Sequence, residues 1–328
     1  LKVFYHPDCD LDFKKFGIDI PIVDDRAKLV FDELKKHDPT FHYFSPERLP
    51  VITRQDLERI HHKDYLDKLF GTDEQLSEAI KVCYEYTDLS LATYPLSNIR
   101  DIILRQVAMF YTASVSALGT GFSYFLGGGM HHAMSFAGRG FCLVNDIVIV
   151  LRRLQTEKLI KHAWVIDLDA HKGDGTAELT SHDSSISTFS IHMKAGWPLN
   201  QGEPRDPWFV ASDMDIAIAE SEERLYLEKL DQGLIDFETK YPRPDLVIVV
   251  NGADPYVEDI LPSTSLLKLS KEQMLARDIL VYEFFKNKNI PMSYCMAGGY
   301  GKKSWEIYYQ FLHFVWQNSS ERTEISSG

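Results

Sequence analysis

The run Asp167-Leu-Asp169-Ala-His171-Lys172-Gly-Asp174-Gly175 crowds carboxylates, an imidazole and an ammonium into a short stretch behind the apolar segment Ala163-Trp164-Val165-Ile166. Side chains of an extended chain repeat with period 2, so Asp167, Asp169 and His171 project together at the carboxyl end of a strand. Burying such a cluster unpaired is strongly unfavourable, and a cation or dense hydrogen bonding offsets that cost. The stretch therefore reads as a metal site. Other chemically loaded stretches are Gly127-Gly-Gly-Met-His131-His132 with Gly138-Arg-Gly140-Phe141-Cys142, Asn251-Gly-Ala-Asp254, and Ala297-Gly-Gly-Tyr300-Gly301. Three glycines in a row are unfavourable in any regular element, so the backbone there either turns sharply or approaches something closely.

The elements that must position these residues alternate. Apolar runs at Ala163–Ile166, Ile186–His192, Leu246–Val250 and Ile290–Met296 read as buried strands, with a short one at Val3–Tyr5. Helical periodicity is expected at Arg26–Lys36, behind Asp24-Asp25 as cap, and at Asp56–Phe70, Glu74–Tyr86, Leu96–Leu118, Asp146–Thr156, Ser221–Tyr241, Lys271–Lys286 and Ser304–Trp316. His61 and His62 read as helix-surface residues, because neighbours on a helix point ~100° apart. The pattern predicts an α/β fold with a central, mostly parallel sheet flanked by helices on both faces. Residues 1–317 form one domain, and the polar segment 318–328 is expected to fray. Three of the loaded stretches, those at Asp167, Asn251 and Ala297, directly follow predicted strands, and ligands of open parallel sheets bind at the carboxyl ends of strands. One shared site is expected.

The 328 residues are 45% hydrophobic, enough for a substantial core. No apolar run is expected to span a membrane, and Leu1-Lys-Val-Phe-Tyr-His-Pro7 lacks a secretory layout. The scattered Cys9, Cys83, Cys142 and Cys295 argue against zinc fingers and a disulfide framework, so a reduced, cytoplasmic setting is expected. A formal charge of −13 disfavours nucleic acid and favours cationic ligands, with salt screening the attraction beyond about 8–10 Å.

Taken together, the triple glycine with His131-His132, Gly140-Phe141-Cys142, Asn145-Asp146, Asp167-Leu-Asp169-Ala-His171, Gly252-Ala-Asp254-Pro-Tyr256 and Gly298-Gly-Tyr300 resemble the zinc-dependent histone deacetylase family, within the arginase/deacetylase fold. The resemblance runs from about Tyr5 to Gly301, and its wording is most similar to class IV and bacterial members. It implies Asp169, His171 and Asp254 as metal ligands, with open positions for water and substrate. Zinc is implied; the oxygen-rich donor set also suits iron(II). It implies His131 paired with Asp167 and His132 with Asp174 as the proton-transfer pair, and Tyr300 as donor to the developing oxyanion. Phe141, beside Gly140, forms one wall of an acyl-lysine channel, and Trp197 or Leu261 the other. Arg26 matches an arginine near an inner cavity, or sits on a helix surface. A potassium ion would be held by Asp167, Asp169, His171 and Ser190, partly through backbone carbonyls.

The sequence also departs from the family pattern. Lys172 stands where relatives carry His or Gln; it either lowers neighbouring carboxylate pKa values or points to solvent. Asp174 is acidic where class IV has Asn, Leu261-Pro262 alters the usual order, and no acidic rim residue for gripping peptide is recognisable. The expected activity is metal-dependent removal of acetyl or other acyl groups from lysine. Its competitors are an acetylpolyamine or other small cationic amide as substrate, motivated by Glu258 and Asp259 near the mouth, and a non-catalytic ligand-binding homologue. An arginase-type hydrolase needs a two-metal ligand set that the sequence does not offer.

Overall fold

The computed structural model describes residues 1–23, 25–199 and 209–325. Among them seven strands form one parallel sheet: β1 (Val3–Phe4), β2 (Phe122–Phe125), β3 (Ala163–Asp167), β4 (Ile186–Met193), β5 (Met214–Ile218), β6 (Leu246–Val250) and β7 (Met292–Cys295). Their order is β1-β2-β7-β6-β3-β4-β5. Every residue of β3 and β6 is buried, as parallel strands covered on both faces require. Leu246, Ile248 and Val250 face one apolar layer, and Val247 and Val249 the other.

Helices Ser97–Thr120 and Asp146–Thr156 build the first layer; Arg26–His37, Tyr226–Lys240, Lys271–Lys286 and Ser304–Ile325 build the second. Local chemistry starts two of them where the sequence predicts. Asn145 caps the Val148 amide at 3.0 Å, and Ser270 with Gln273 forms a reciprocal capping box.

The chain runs outward from β3 through β4 to β5, then returns to the other side of β3 with β6 and β7. Connections after β3 and β6 therefore diverge, and the crevice between them opens at the strands' carboxyl ends. In register, Asp167 lies between Ser190 of β4 and Val250 of β6.

Several expectations are corrected. β2 and β5 are additional strands: Phe-Ser-Tyr-Phe is short and starts straight after a helix, and the edge strand β5 carries Asp215 and is only partly buried, so neither shows a continuous apolar run. The helix expected over 56–70 is broken into Arg54–Leu57 and Lys63–Leu69. Between them His61 is buried, while His62 is exposed and precedes the second segment. Asp25 makes no side-chain cap to the Arg26 helix, and Asp24 lies outside the described residues. The closing helix continues past Trp316 to Ile325; of the predicted tail, 326–328 lie outside the described residues. Contrary to the reading of the apolar runs, helix Ser97–Thr120 is by length and composition apolar enough to cross a membrane. Its Ile99, Ile103, Val107, Phe110 and Ala113 are buried in the first layer of the core.

Candidate metal centre

The turn leaving β3 is held by its own carboxylates. Asp167 Oδ1 accepts from the Asp169 amide at 3.1 Å, and Asp169 Oδ1 accepts from the His171 amide at 3.0 Å. From the turn after β6, Asp254 Oδ1 accepts from the Ala170 amide at 2.8 Å. These contacts bring buried ligand atoms of Asp169, His171 and Asp254 within 4.8 Å of one another, a group that could hold a metal ion. His171 Nδ1 lies 2.9 Å from Asp254 Oδ2, and that oxygen has no partner in hydrogen-bond geometry. The opposite ring nitrogen, His171 Nε2, is 2.9 Å from Ser263 Oγ, which fixes the ring plane.

Behind this group the fully buried Arg277 donates to the carbonyls of Leu168 and Gly252 at 3.0 and 2.9 Å. It is paired with Asp278, which accepts from Asn251 Nδ2 at 2.8 Å. One guanidinium thus ties together the two turns that carry the ligands. Neither Ser263 nor Arg277 was anticipated, since each acts across the fold and leaves no local pattern.

The histidine pair is set by its glycine loop. Gly129 has φ +78°, and a Cβ there would lie 2.6 Å from Ala297, so only glycine fits. Asp146 completes the turn, accepting from the Gly129 and Met130 amides at 2.9 and 2.7 Å. The two imidazoles pack with centroids 3.9 Å apart. His131 Nδ1 is 2.7 Å from Asp167 Oδ2, and His132 Nδ1 is 2.6 Å from Asp174 Oδ1. Burial alone pushes the His131 pKa down, but the carboxylates of Asp167 and Asp169 more than reverse this, to about 9. Burial and the charge of His131 push His132 down to about 3. Arg139 Nη1 holds the second oxygen of Asp174 at 2.9 Å.

Trp197 stands edge-on to both His132 and His171, at 4.5 and 5.5 Å between centroids. Gly140, at φ +54°, makes room for it: a Cβ there would lie 2.2 Å from the indole and 2.9 Å from His132. Phe141 stacks on Tyr84 and meets Tyr300 edge-on at 6.1 Å. Both histidines, Gly140, Phe141, Asp169 and Tyr300 line one cavity of about 130 Å³. Tyr300 is 9% exposed, and burial pushes its phenol well above the usual range.

Arg26 lines the same cavity and is not a surface residue; it donates to the carbonyls of Ala297 and Gly299 at 2.7 and 2.8 Å. Leu261 is placed elsewhere, in a neighbouring groove with Asp19, Pro21 and Tyr86, so of the two candidate walls only Trp197 stands against the histidines. Lys172 neither faces solvent nor reaches the ligand carboxylates: it is buried and donates to Ser212 and Asp215 at 2.7 and 2.9 Å. The acidic residues expected at the mouth are engaged. Glu258 pairs with Lys303 at 2.8 Å, and Asp259 is 8% exposed. Burial raises the Asp259 carboxyl to about 6. Ser190 Oγ, on the residue paired in register with Asp167, is buried and has no hydrogen-bond partner among the described residues, as an inner cation ligand would. His61, expected on a helix surface, is a core residue; it accepts from the Asn145 amide at 3.2 Å and lies 2.9 Å from the Met134 carbonyl.

The family model described as "Histone deacetylase domain" matches residues 20–312. The chain is 28% identical to Histone deacetylase 2 of Arabidopsis thaliana over 253 residues, 76% of this chain and 62% of that one. It is 31% identical to an uncharacterized protein of Picosynechococcus sp. over 195 residues, 59% of this chain and 61% of the relative. The match thus spans less than two thirds of either relative's length. With the Acetoin utilization protein AcuC of Staphylococcus aureus it shares 32% identity over 42% of this chain and 36% of that one. The solved structure titled "Crystal Structure of HDA15 HD domain" superposes with a TM-score of 0.71 at 17% identity, covering 96% of this chain and 88% of that chain, which establishes the common fold.

Proposed function

Because the chain belongs to the histone deacetylase domain family, we propose that it is a metal-dependent amidohydrolase that removes acetyl or related acyl groups from lysine side chains. The observation that carries this reading is convergence: Asp169 of the buried Asp169-His171-Asp254 group, a histidine pair with a carboxylate for each member, and Tyr300 line one cavity.

Two carboxylates and one imidazole suit zinc, with iron(II) as the alternative, and leave coordination positions open. A divalent ion held there supplies Lewis acidity that polarises the amide carbonyl and makes a water nucleophilic near neutral pH. Ser190, Asp167, Asp169 and His171 would hold a potassium ion, partly through backbone carbonyls, a reading supported by the Ser190 hydroxyl, buried with no hydrogen-bond partner among the described residues.

His132 accepts the proton of the attacking water; Asp174 receives its Nδ1–H and fixes the tautomer. His131, paired through Nδ1 with Asp167, supplies the proton for the departing amine. At a ring separation of 3.9 Å the pair exchanges protons as a unit. Tyr300 keeps its proton at any ordinary pH and donates to the developing oxyanion, a contribution on the order of 3 kcal/mol. Phe141, which lines the cavity, and Trp197, edge-on to His132, would shield the entering chain from water.

Turnover of an acetyl-lysine peptide by Tyr300→Phe and His132→Ala tests the mechanism: each loses at least about tenfold. Full activity in both overturns it. Acetylspermidine assayed in parallel separates the amide classes, and turnover of it in place of acetyl-lysine would move the substrate to small cationic amides.

A further inference from the structure

We infer that Asp259 is a positioning residue that sets Tyr300 for catalysis, through a buried carboxylate shared between the tyrosine loop and the turn that steadies a metal ligand. The inference rests on the reading of Tyr300 as oxyanion donor.

The loop 297–301 has little stiffness of its own. Gly299 and Gly301 sit at φ +148° and +89°, and glycine holds no preference that would keep the chain there. Its position comes from side chains reaching in from elsewhere. Arg26 takes the carbonyls of Ala297 and Gly299, and the Tyr308 hydroxyl donates to that of Gly298. Loop amides are fixed as well: Gly298 donates to Asp169 Oδ2 at 3.0 Å and Gly301 to the Pro21 carbonyl at 3.4 Å, while the amide of Tyr300 itself donates to Asp259 Oδ2 at 2.7 Å. Arg26 thus holds the loop by its carbonyls, and Asp259 is the side chain that holds it at the tyrosine's own amide, so the phenol's place depends on that carboxylate.

The other oxygen of Asp259 is committed as well. Oδ1 accepts from the Leu261 amide at 2.9 Å and from Thr264 Oγ1 at 3.1 Å, closing the short 3-10 turn Pro262–Thr264. That turn carries Ser263, whose hydroxyl meets His171 Nε2. The segment 254–264 thus begins at one metal ligand, passes through the Tyr300 anchor, and ends against another. The ammonium of Lys268 reaches the backbone carbonyl of Asp259, at 3.2 Å, and the carboxylate itself is spent at this depth on two amides and a hydroxyl, which indicates that the position of the backbone is what it secures.

The chemistry singles out Asp259→Asn as the probe. The amide has one acceptor oxygen, so it cannot serve both sets of donors, and an Nδ2 group facing the Tyr300 N–H sets donor against donor. Steady-state kinetics on the full metal-loaded chain with an acetyl-lysine peptide would compare wild type, Asp259→Asn, Tyr300→Phe and the double variant. Asp259→Asn is expected to lower kcat about tenfold with KM within about threefold and metal content unchanged, because placement of a transition-state donor is lost. In the Tyr300→Phe background the same change is expected to cost less than about twofold, since its effect passes through the phenol. An unchanged kcat in Asp259→Asn, or the same tenfold loss with and without the Tyr300 hydroxyl, overturns the inference. Full activity of Tyr300→Phe overturns the parent reading instead, so the two failures are read from different variants. Should Asp259→Asn not fold, Thr264→Ala strips Oδ1 of one donor and leaves the carboxylate in place. It is expected to lower kcat about threefold, again only where the Tyr300 hydroxyl is present; an equal loss in both backgrounds overturns the inference.

Discussion

Arg139 and His132 share one carboxylate: Asp174 accepts the imidazole at 2.6 Å on Oδ1 and the guanidinium at 2.9 Å on Oδ2. Burial would raise the Asp174 pKa, but His132 and Arg139 outweigh it and hold the carboxyl below the usual range. The guanidinium also lies 5.3 Å from the centre of the Trp197 ring, so it braces the wall beside the histidines.

Removing that brace is expected to reach the proton-transfer pair without touching the metal. Arg139→Ala should lower kcat/KM by about tenfold, the scale of a charge-assisted hydrogen bond, and Arg139→Lys should recover part of the loss. Steady-state kinetics with metal content measured on the same samples checks this.

Stripping the divalent ion should cost both activity and stability. Without a cation the carboxylates of Asp169 and Asp254 are left buried around His171. Chelation is expected to abolish turnover and lower Tm by roughly 5 °C, as loss of a native-state ligand does. Asp254→Ala should abolish stoichiometric metal binding, and refilling the wild type with zinc or iron(II) should restore turnover; thermal melts and metal analysis read both.

His61 makes folding sensitive to acid. Burial depresses its pKa to about 4, against an unfolded value near 6.5. Between these values the unfolded chain binds a proton that the folded chain refuses, so stability falls as pH drops from 6.5 toward 4. The loss from this one group is at most about 3 kcal/mol. Urea unfolding at several pH values should therefore show a shallower acid decline in His61→Gln than in wild type.

Lys172 is expected to be structural. Its side chain is fully buried against Asp215, and removing the ammonium takes the paired cation from Asp215, which keeps the Ser212 amide at 3.0 Å, and the donor from the Ser212 hydroxyl. Lys172→Met should destabilise by about 3 kcal/mol, and Asp215→Leu added to it should recover much of that. Denaturant titration of the single and double variants reads the coupling.

Much of the site was legible before any fold was known. Asp167, Asp169, His171 and Asp254 announce themselves as polar residues placed just after fully apolar strands, and the tandem histidines follow a glycine run that no regular element tolerates. Helices such as Asp146–Thr156 and Lys271–Lys286 were equally legible, because their capping residues and periodicity lie within a few positions of one another.

What stayed hidden is contact between distant parts of the chain. The Asp259 carboxylate on the Tyr300 amide, Ser263 on His171, Arg139 on Asp174 and Arg277 on the two ligand turns join residues separated by 25 to 109 positions. Lys172 and Asp259 looked like charges for solvent or for substrate, and packing buried both. By itself the sequence determined which residue types stand at the strand ends, because strand and cap signals are local. Only the tertiary structure decided which of them are engaged with one another, because burial and partner choice depend on how the turns after β3, β6 and β7 close over the same crevice.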